Sequence, residues 1–477
     1  MSPNAPEPTP DNPPTLRPRP RWNLHERAAK FPILAALAER VLICDGAMGT
    51  MLQRAGLTPE DFDGKDGCNE ILCRTRPEVI ANVHREYFLA GADIVETNTF
   101  GSMPLVLAEY AIADEAYELS RRAAAIARQV ADTLSTPSWP RFVAGAVGPT
   151  TKLISLCHVS FEELFESYLV QCRGLIEGGC DIIQIETAQD LLGVKCAILA
   201  ARRAMEKSGR EVPIIAQVTI ETTGTMLIGT EVAAALPALE AMEVDVVGLN
   251  CATGPDLMHE HVRFLGENAS RFVSVLPNAG LPRNEGGVAT YDLTPESLAD
   301  YHERFVRDYG VSLVGGCCGT NPRHIAALSA RLRGEGKAHK ARPRPSAGPS
   351  QATSLYLAVN LRQDPPPLIV GERSNANGSK KFREMLLRED FEGIVEVGRE
   401  QIGEGAHLID VCVAYVGRDE VRDMREVLRL GIGFSEWIGA ALALGPIYHP
   451  DMGEDYVARR MERRWQGEVD LEHKVID

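Results

Sequence analysis

Short apolar, β-rich runs alternate with amphipathic helical stretches along residues 41 to 333, and the alternation is regular enough to count. Strands are predicted to begin near Val41, Asp93, Arg141, Asp181, Val212, Val244, Phe272 and Val311, which makes eight. Between them lie helical stretches such as PEVIANVHREYFLAGA, SFEELFESYLVQCRGLIEGG and TPESLADYHERFVRDYG, opening on the Pro, Ser or Thr that favours a helix start. Two units echo each other, GADIVETNTF at 91–100 and GCDIIQIETA at 179–188. Eight βα units of this spacing predict a (β/α)8 TIM barrel over 36–333 rather than an open doubly wound sheet.

A barrel of this kind places its chemistry where the strands run out into the βα loops. Those ends read CDGAMGT, ETNTFG, GAVGPT, IETAQD, GLNCATG, LPNAGLP and GGCCGT, so polar, glycine-flanked and sulfur-bearing residues gather on one rim. The flanking segments differ in kind. Residues 1–35 are Pro-rich and polar, which predicts a disordered lead-in and not a signal peptide. Residues 334–367 begin with GEGKAHKARPRPSAGPSQAT and read as a linker. From 368 to 477 a second βα architecture begins, with PPLIVGERSNANGSKKF as strand and loop and VEVGREQIGEGAHLIDVCVAYVG as helix and strand. That length falls far short of the roughly 250 residues of a full barrel, so an incomplete second βα module is expected.

Charge and composition narrow the function. With 66 acidic against 50 basic residues the net charge is −16, and no basic block interleaved with aromatics offsets it, which argues against nucleic acid. No apolar run approaches the roughly 20 residues of a membrane span, so no membrane role and a cytoplasmic location are expected. Eleven cysteines, an odd number in a long chain, read as reduced thiols rather than a disulfide framework.

Three of those cysteines stand apart. Cys251 lies at the end of the sixth predicted strand, and Cys317 and Cys318 at the end of the eighth. One strand separates the two, so on one rim the three sulfurs converge on a single ion, and the glycines of GGCCG let adjacent side chains face it. Zinc prefers thiolates, and a catalytic zinc keeps three protein ligands with a fourth position open. The blander readings are a packed core thiol for Cys251 and a vicinal disulfide or unrelated thiols for the pair. Cys44, Cys68, Cys73, Cys157, Cys172, Cys180 and Cys196 read as core or surface thiols, and His158 and His324 as structural. An amino-acid substrate would need a carboxylate for its ammonium, for which Glu186 and then Asp45 are nominated, and backbone N–H groups at Gly46 to Gly49 for its carboxylate. Asp190, at a helix start, reads as a cap.

Over residues 36 to 332 the ordered motifs DGAMGT, ETNTF, GPT, ETAQD, GLNCATGP, PNAGLP and GGCCGT resemble the homocysteine S-methyltransferases, and most closely the N-terminal barrel of the cobalamin-dependent methionine synthases. The resemblance implies that Cys251, Cys317 and Cys318 hold a zinc that binds and ionises the homocysteine thiol. It implies substrate contacts at Asp45, Gly46, Ala47, Glu96, Asn98, Glu186 and Thr187. Asn250, next to a ligand, either reaches the metal in the absence of substrate or orders the loop.

Residues 368 to 427 resemble the start of the pterin-binding barrel that follows in that family, which nominates Asn375 and Asp410 for methyltetrahydrofolate. Cys412 stands where the family often has Asn, and Ala414 where it often has an acid. No DxHxxG cobalt-ligating stretch occurs, so methylcobalamin is expected as a donor held elsewhere, with an incomplete folate site. Homocysteine is the implied substrate, and a separate cobalamin-binding or pterin-binding chain the implied partner. A fragment, a frame-altered product and one subunit of a split system all stay open. Two other readings remain: a stand-alone enzyme using a sulfonium or betaine donor, and a non-catalytic fragment with a structural zinc.

Overall fold

Each predicted apolar run does form a strand, and all eight are parallel: β1 (Leu42–Ile43), β2 (Ile94–Glu96), β3 (Phe142–Val147), β4 (Ile182–Ala188), β5 (Ile214–Val218), β6 (Val246–Asn250), β7 (Phe272–Leu276) and β8 (Leu313–Val314). These come from a computed structural model that describes residues 23–285, 288–333, 351–354 and 356–433. β2 to β8 pair in chain order and β8 pairs with β1. The ring closes between β1 and β2 through one bridge, Cys44 to Ile94, and an Asp93 N–H bond to the Ile43 carbonyl. The result is the closed (β/α)8 barrel that eight units require.

Burial explains the near-continuous apolar character of the strands: β3, β5, β6 and β7 are buried at every position, because the barrel interior lies on one side and the helical ring on the other. Leu42, Ile94, Phe142, Ile182, Ile215, Val246, Phe272 and Leu313 fill the interior, one from each strand. Phe31, Ile33, Leu34 and Leu37 close its N-terminal end. Ile33, Leu34 and Leu37 come from helix Pro32–Glu39 and Phe31 joins it to helix Leu24–Lys30, so the lead-in predicted over 1–35 is ordered from Asn23 onward. Its remainder lies outside the described residues. Three aspartates stand just before alternate strands and tie the wall at that end. Asp93, Asp181 and Asp245 accept the N–H groups of Ile43, Val143 and Ile214 on the neighbouring strands.

The predicted linker is also partly structured. Gln351–Thr353 and Ala358–Asn360 form an antiparallel hairpin whose Tyr356 carbonyl accepts the Glu231 N–H at the start of helix Val232–Ala241. Residues 334–350 lie outside the described residues. Beyond the hairpin, β9 (Val370–Asn375) and β10 (Leu408–Cys412) pair in parallel, with helices Lys380–Leu387, Phe391–Gly403 and Glu420–Gly433. Ala376, Phe382, Leu386, Ile394, Val397 and Val427 give this unit a small core of its own.

Candidate metal centre and substrate pocket

At the end of β6 the chain turns out of the barrel through two residues with positive φ, Cys251 (61°) and Ala252 (56°). Non-glycine residues hold that conformation only where the surroundings enforce it. Here the Cys251 N–H bonds the Leu276 carbonyl (3.1 Å) and the Thr253 N–H the Cys251 carbonyl (2.7 Å). At the end of β8, Gly316 has no room for a side chain, since a Cβ would come within 2.5 Å of Thr320. The next two residues are held from the β7 loop: the Cys317 N–H bonds the Pro277 carbonyl (2.8 Å) and the Cys318 N–H the Asn278 Oδ1 (3.1 Å).

Those constraints bring the three sulfurs within 4.8 Å of one another, with 3.9 Å between Cys251 and Cys318. Zinc–sulfur bonds of about 2.3 Å in a tetrahedron put sulfurs about 3.8 Å apart, so the donor set fits a thiolate-bound zinc. All three are free thiols, which removes the vicinal disulfide. The cluster shares one charge: hydrogen bonds from Cys251 and Cys317 pull the Cys318 thiol down to about 3, while those to Cys251 and Cys318, with burial, push Cys317 well up. Ionising all three sulfurs side by side would need a cation between them.

Beside the sulfurs lie three carboxylates, Asp45 and Glu186 buried and Glu96 half-buried. Burial and then Glu96 push Asp45 well above the usual range, burial lifts Glu96 to about 7, and burial followed by Glu96, Cys251 and Asp45 raises Glu186. No Lys, Arg or His among the described residues pairs with any of them. Asp45 accepts the Glu96 N–H (3.1 Å), and Cys44 donates its S–H to Asp45 (3.5 Å). Below this layer a polar chain crosses the barrel: Gln184 donates to Glu96 and to Gln217 (3.3 Å), and Gln217 donates to Ser274 (2.7 Å).

The other nominated residues divide. Thr187, at φ 54°, donates its N–H to Asn250 Oδ1 (2.7 Å), and Asn250 Nδ2 donates to Thr187 Oγ1 (2.9 Å) and Glu186 (3.3 Å). The Asn250 amide is therefore engaged in ordering the end of β4. Asn98 donates to the Asn69 carbonyl (2.7 Å) and the Cys73 sulfur (3.6 Å), bracing a neighbouring loop. The Ala47 N–H is taken by Thr320 Oγ1 (3.2 Å), and a Cβ on Gly46 would come within 2.5 Å of that oxygen. Asp190 caps helix Leu191–Ser208 through Leu192 N–H (2.8 Å). In the second unit, Asn375 lies opposite Cys412 in the ladder, and Asp410, two residues earlier, shares that face and is exposed. Asn375 Oδ1 accepts the Asn377 N–H (2.9 Å).

Sequence reasoning passed over Gln184, Gln217, Asn278, Tyr291 and Thr320. A signal existed for Gln184: it stands two residues before Glu186 in an apolar strand, on the same face. Asn278 and Thr320 lie inside the rim motifs PNAGLP and GGCCGT. Tyr291 hydrogen-bonds the Cys318 sulfur from beyond the β7 loop, which no spacing announces.

The chain belongs to the homocysteine S-methyltransferase family, whose model matches residues 42–332. A model for pterin binding enzymes matches residues 371–431. The chain is similar to methionine synthase of Mycobacterium tuberculosis (strain ATCC 25618 / H37Rv), 50% identical over 394 residues, covering 82% of this chain and 33% of that one. The methionine synthase of Mycobacterium leprae (strain TN) is 49% identical over 395 residues, with the same coverage. The chain thus spans about a third of the length of these relatives. Among solved structures, the metallated form of the Escherichia coli homocysteine methyltransferase MmuM matches with a TM-score of 0.51 at 23% identity. That match covers 61% of this chain and 96% of the other, and it bears on the fold.

Proposed function

We propose that the chain transfers a methyl group to the thiol of homocysteine, giving methionine, with zinc held by Cys251, Cys317 and Cys318 and methylcobalamin, held elsewhere, as donor. The observation that carries this reading is the convergence of three free sulfurs beside two buried carboxylates and a half-buried one, none of them paired with a cationic side chain among the described residues. A zinc bound there supplies a Lewis acid that ionises a thiol near neutral pH. The cluster offers three protein ligands, which favours an exchangeable fourth position over the four-ligand closure of a structural zinc.

In this reading Glu186 and Asp45 receive the substrate ammonium, with Glu96 behind them. The N–H groups of Met48 and Gly49, which open helix Met48–Gln53, receive its carboxylate, since that of Ala47 is already bonded to Thr320. Asn250 and Thr187 hold Glu186 in place rather than meeting the metal. Burial of the carboxylates strengthens their hold on a cation, and ionised substrate sulfur is left facing the open side, where the donor approaches. The similarity to methionine synthases supports the cobalamin donor. We further propose residues 36–333 as the homocysteine module and the unit from 368 onward as a pterin-binding module, with Asn375 and Asp410 on its ligand-facing side. Its described residues supply two strands, and folate binding is left out of the proposed activity.

Metal analysis and calorimetry test the proposal together. One zinc per chain is expected, lost in Cys251→Ala and Cys317→Ala. Homocysteine binding should release about one proton per site, counted in buffers of different ionisation enthalpy. Full zinc occupancy in both variants, or proton-free and zinc-independent homocysteine binding, refutes it.

A further inference from the structure

The loop proposed to bind the amino acid and the loop proposed to bind the metal are joined by three hydrogen bonds, which run in both senses. Thr320, in the metal loop and fully buried, accepts the Ala47 N–H of the DGAMGT loop through Oγ1 (3.2 Å) and donates its own proton to the Cys317 carbonyl (2.6 Å). Thr50, at the other end of the DGAMGT loop, accepts the Gly319 N–H of the metal loop through its Oγ1 (3.3 Å). The Gly316 N–H adds a bond to the Asp45 carbonyl (3.1 Å). Two glycines leave room for the Thr320 side chain: a Cβ on Gly46 or on Gly316 would come within 2.5 Å of it. On the far side Tyr87 donates its hydroxyl to the Ala47 carbonyl (3.1 Å), so the Ala47 peptide is fixed from both faces.

The chain of bonds Ala47 N–H to Thr320 Oγ1–H to Cys317 carbonyl runs through one hydroxyl that is donor and acceptor at once. Such bonds polarise one another, so strengthening one end strengthens the other. We propose that Thr320 is a positioning residue that couples amino-acid binding to the geometry of the metal ligands, with Thr50 as its reciprocal partner. The inference rests on the functional reading above and adds to it a route independent of the substrate sulfur. An amino acid that settles the DGAMGT loop also settles Cys317 and Cys318, and by reciprocity a metal that settles the cysteines favours the amino acid.

Norvaline isolates this route, because it carries a methyl group in place of the thiol and makes no bond to zinc. Its affinity is measured by calorimetry on zinc-loaded and metal-free protein. In the wild type the loaded form should bind norvaline about fivefold more tightly, the scale of one buried hydrogen bond. Norvaline should strengthen zinc retention against a chelator by the same factor. Thr320→Val keeps the side-chain shape and should bring the ratio to one, Thr320→Ser should restore it, and Thr50→Val should lower it. Should Thr320→Val fail to fold or to hold zinc, Thr50→Val, at a half-exposed site, decides the matter. A wild-type ratio of one, or an unchanged ratio in Thr320→Val or, where that variant fails, in Thr50→Val, overturns the coupling while leaving zinc-dependent homocysteine binding intact. A wild type that binds neither zinc nor homocysteine overturns the functional reading and the coupling with it.

Discussion

The two ends of the barrel bury carboxylates in opposite company. At the N-terminal end Asp93 is fully buried and meets Arg40 (2.9 Å), Arg333, the Trp139 indole N–H (2.8 Å) and the Ile43 N–H (2.8 Å). Asp245, 1% exposed, takes a two-pronged bond from Arg27, 2.7 Å on each oxygen, and Asp181 meets Arg128 at 2.7 Å. At the C-terminal rim Asp45 and Glu186 are nearly as deeply buried and Glu96 is half-buried, and the three face one another and the thiols instead. A buried charge that the chain itself neutralises belongs to the architecture, and removing one partner is costly. A cluster that no cationic side chain among the described residues neutralises is open to completion from outside, which in the proposed reaction means by an ammonium and a metal.

The contrast can be broken most forcefully at the paired end. Asp93→Ala leaves Arg40 and Arg333 without their shared counterion and should cost about 3–5 kcal/mol of stability in denaturant unfolding. Equal stability in this variant would erase the distinction. At the rim the consequence should be inverted: Glu186→Gln is expected to weaken homocysteine binding by about 1.5–3 kcal/mol, the range of a hydrogen bond to a charged group, with the melting temperature unchanged or higher. Calorimetry and thermal unfolding on one sample read both.

Glu96 sharpens the comparison through pH. Burial lifts its carboxyl from the usual 4.5 to about 7, so between those values the folded protein holds more protons than the unfolded chain. Stability contributed by the protonated form is therefore lost as pH rises through that window, the reverse of a carboxylate paired with arginine. Glu96→Gln, which mimics the protonated acid, should flatten the decline and be the more stable protein at about pH 8, by on the order of 1 kcal/mol. A wild-type stability that climbs across the window contradicts this. An effect of similar size belongs to Asp190, which caps its helix and also accepts the Ser155 N–H and hydroxyl: Asp190→Ala should cost about 1–2 kcal/mol, with homocysteine affinity unchanged.

Much of the barrel could be read before any coordinates, for a specific reason. Strands buried on both faces are unbroken apolar runs, and the observed starts lie within two residues of the expected ones, from Leu42 for Val41 to Leu313 for Val311. The cysteines were legible because glycine flanks and strand-end positions accompany them. What escaped depends on tertiary closure. The helices from Leu24 to Glu39 earn their order by plugging the barrel, so local composition misrepresents their N-terminal part. The hairpin at 351–360 sits in a Pro- and Ser-rich stretch and is held by the start of helix Val232–Ala241. The Asn98 amide also braces the loop at Asn69 and Cys73, a partnership across 25 to 29 residues that no local pattern encodes.

The closure of the barrel has a mechanical consequence. Seven of its joins are ladders of at least two residue pairs, whereas the eighth, between β1 and β2, has the single Cys44–Ile94 bridge, backed by the Asp93 N–H bond to the Ile43 carbonyl and by the side chains of Asp93 and Asp45. This is the seam of the cylinder, the join that carboxylate side chains rather than a ladder complete. Asp45 stands on one lip and Glu96 on the other. A cation lodged against both acts as a rivet, so occupying the pocket tightens the wall where it is thinnest.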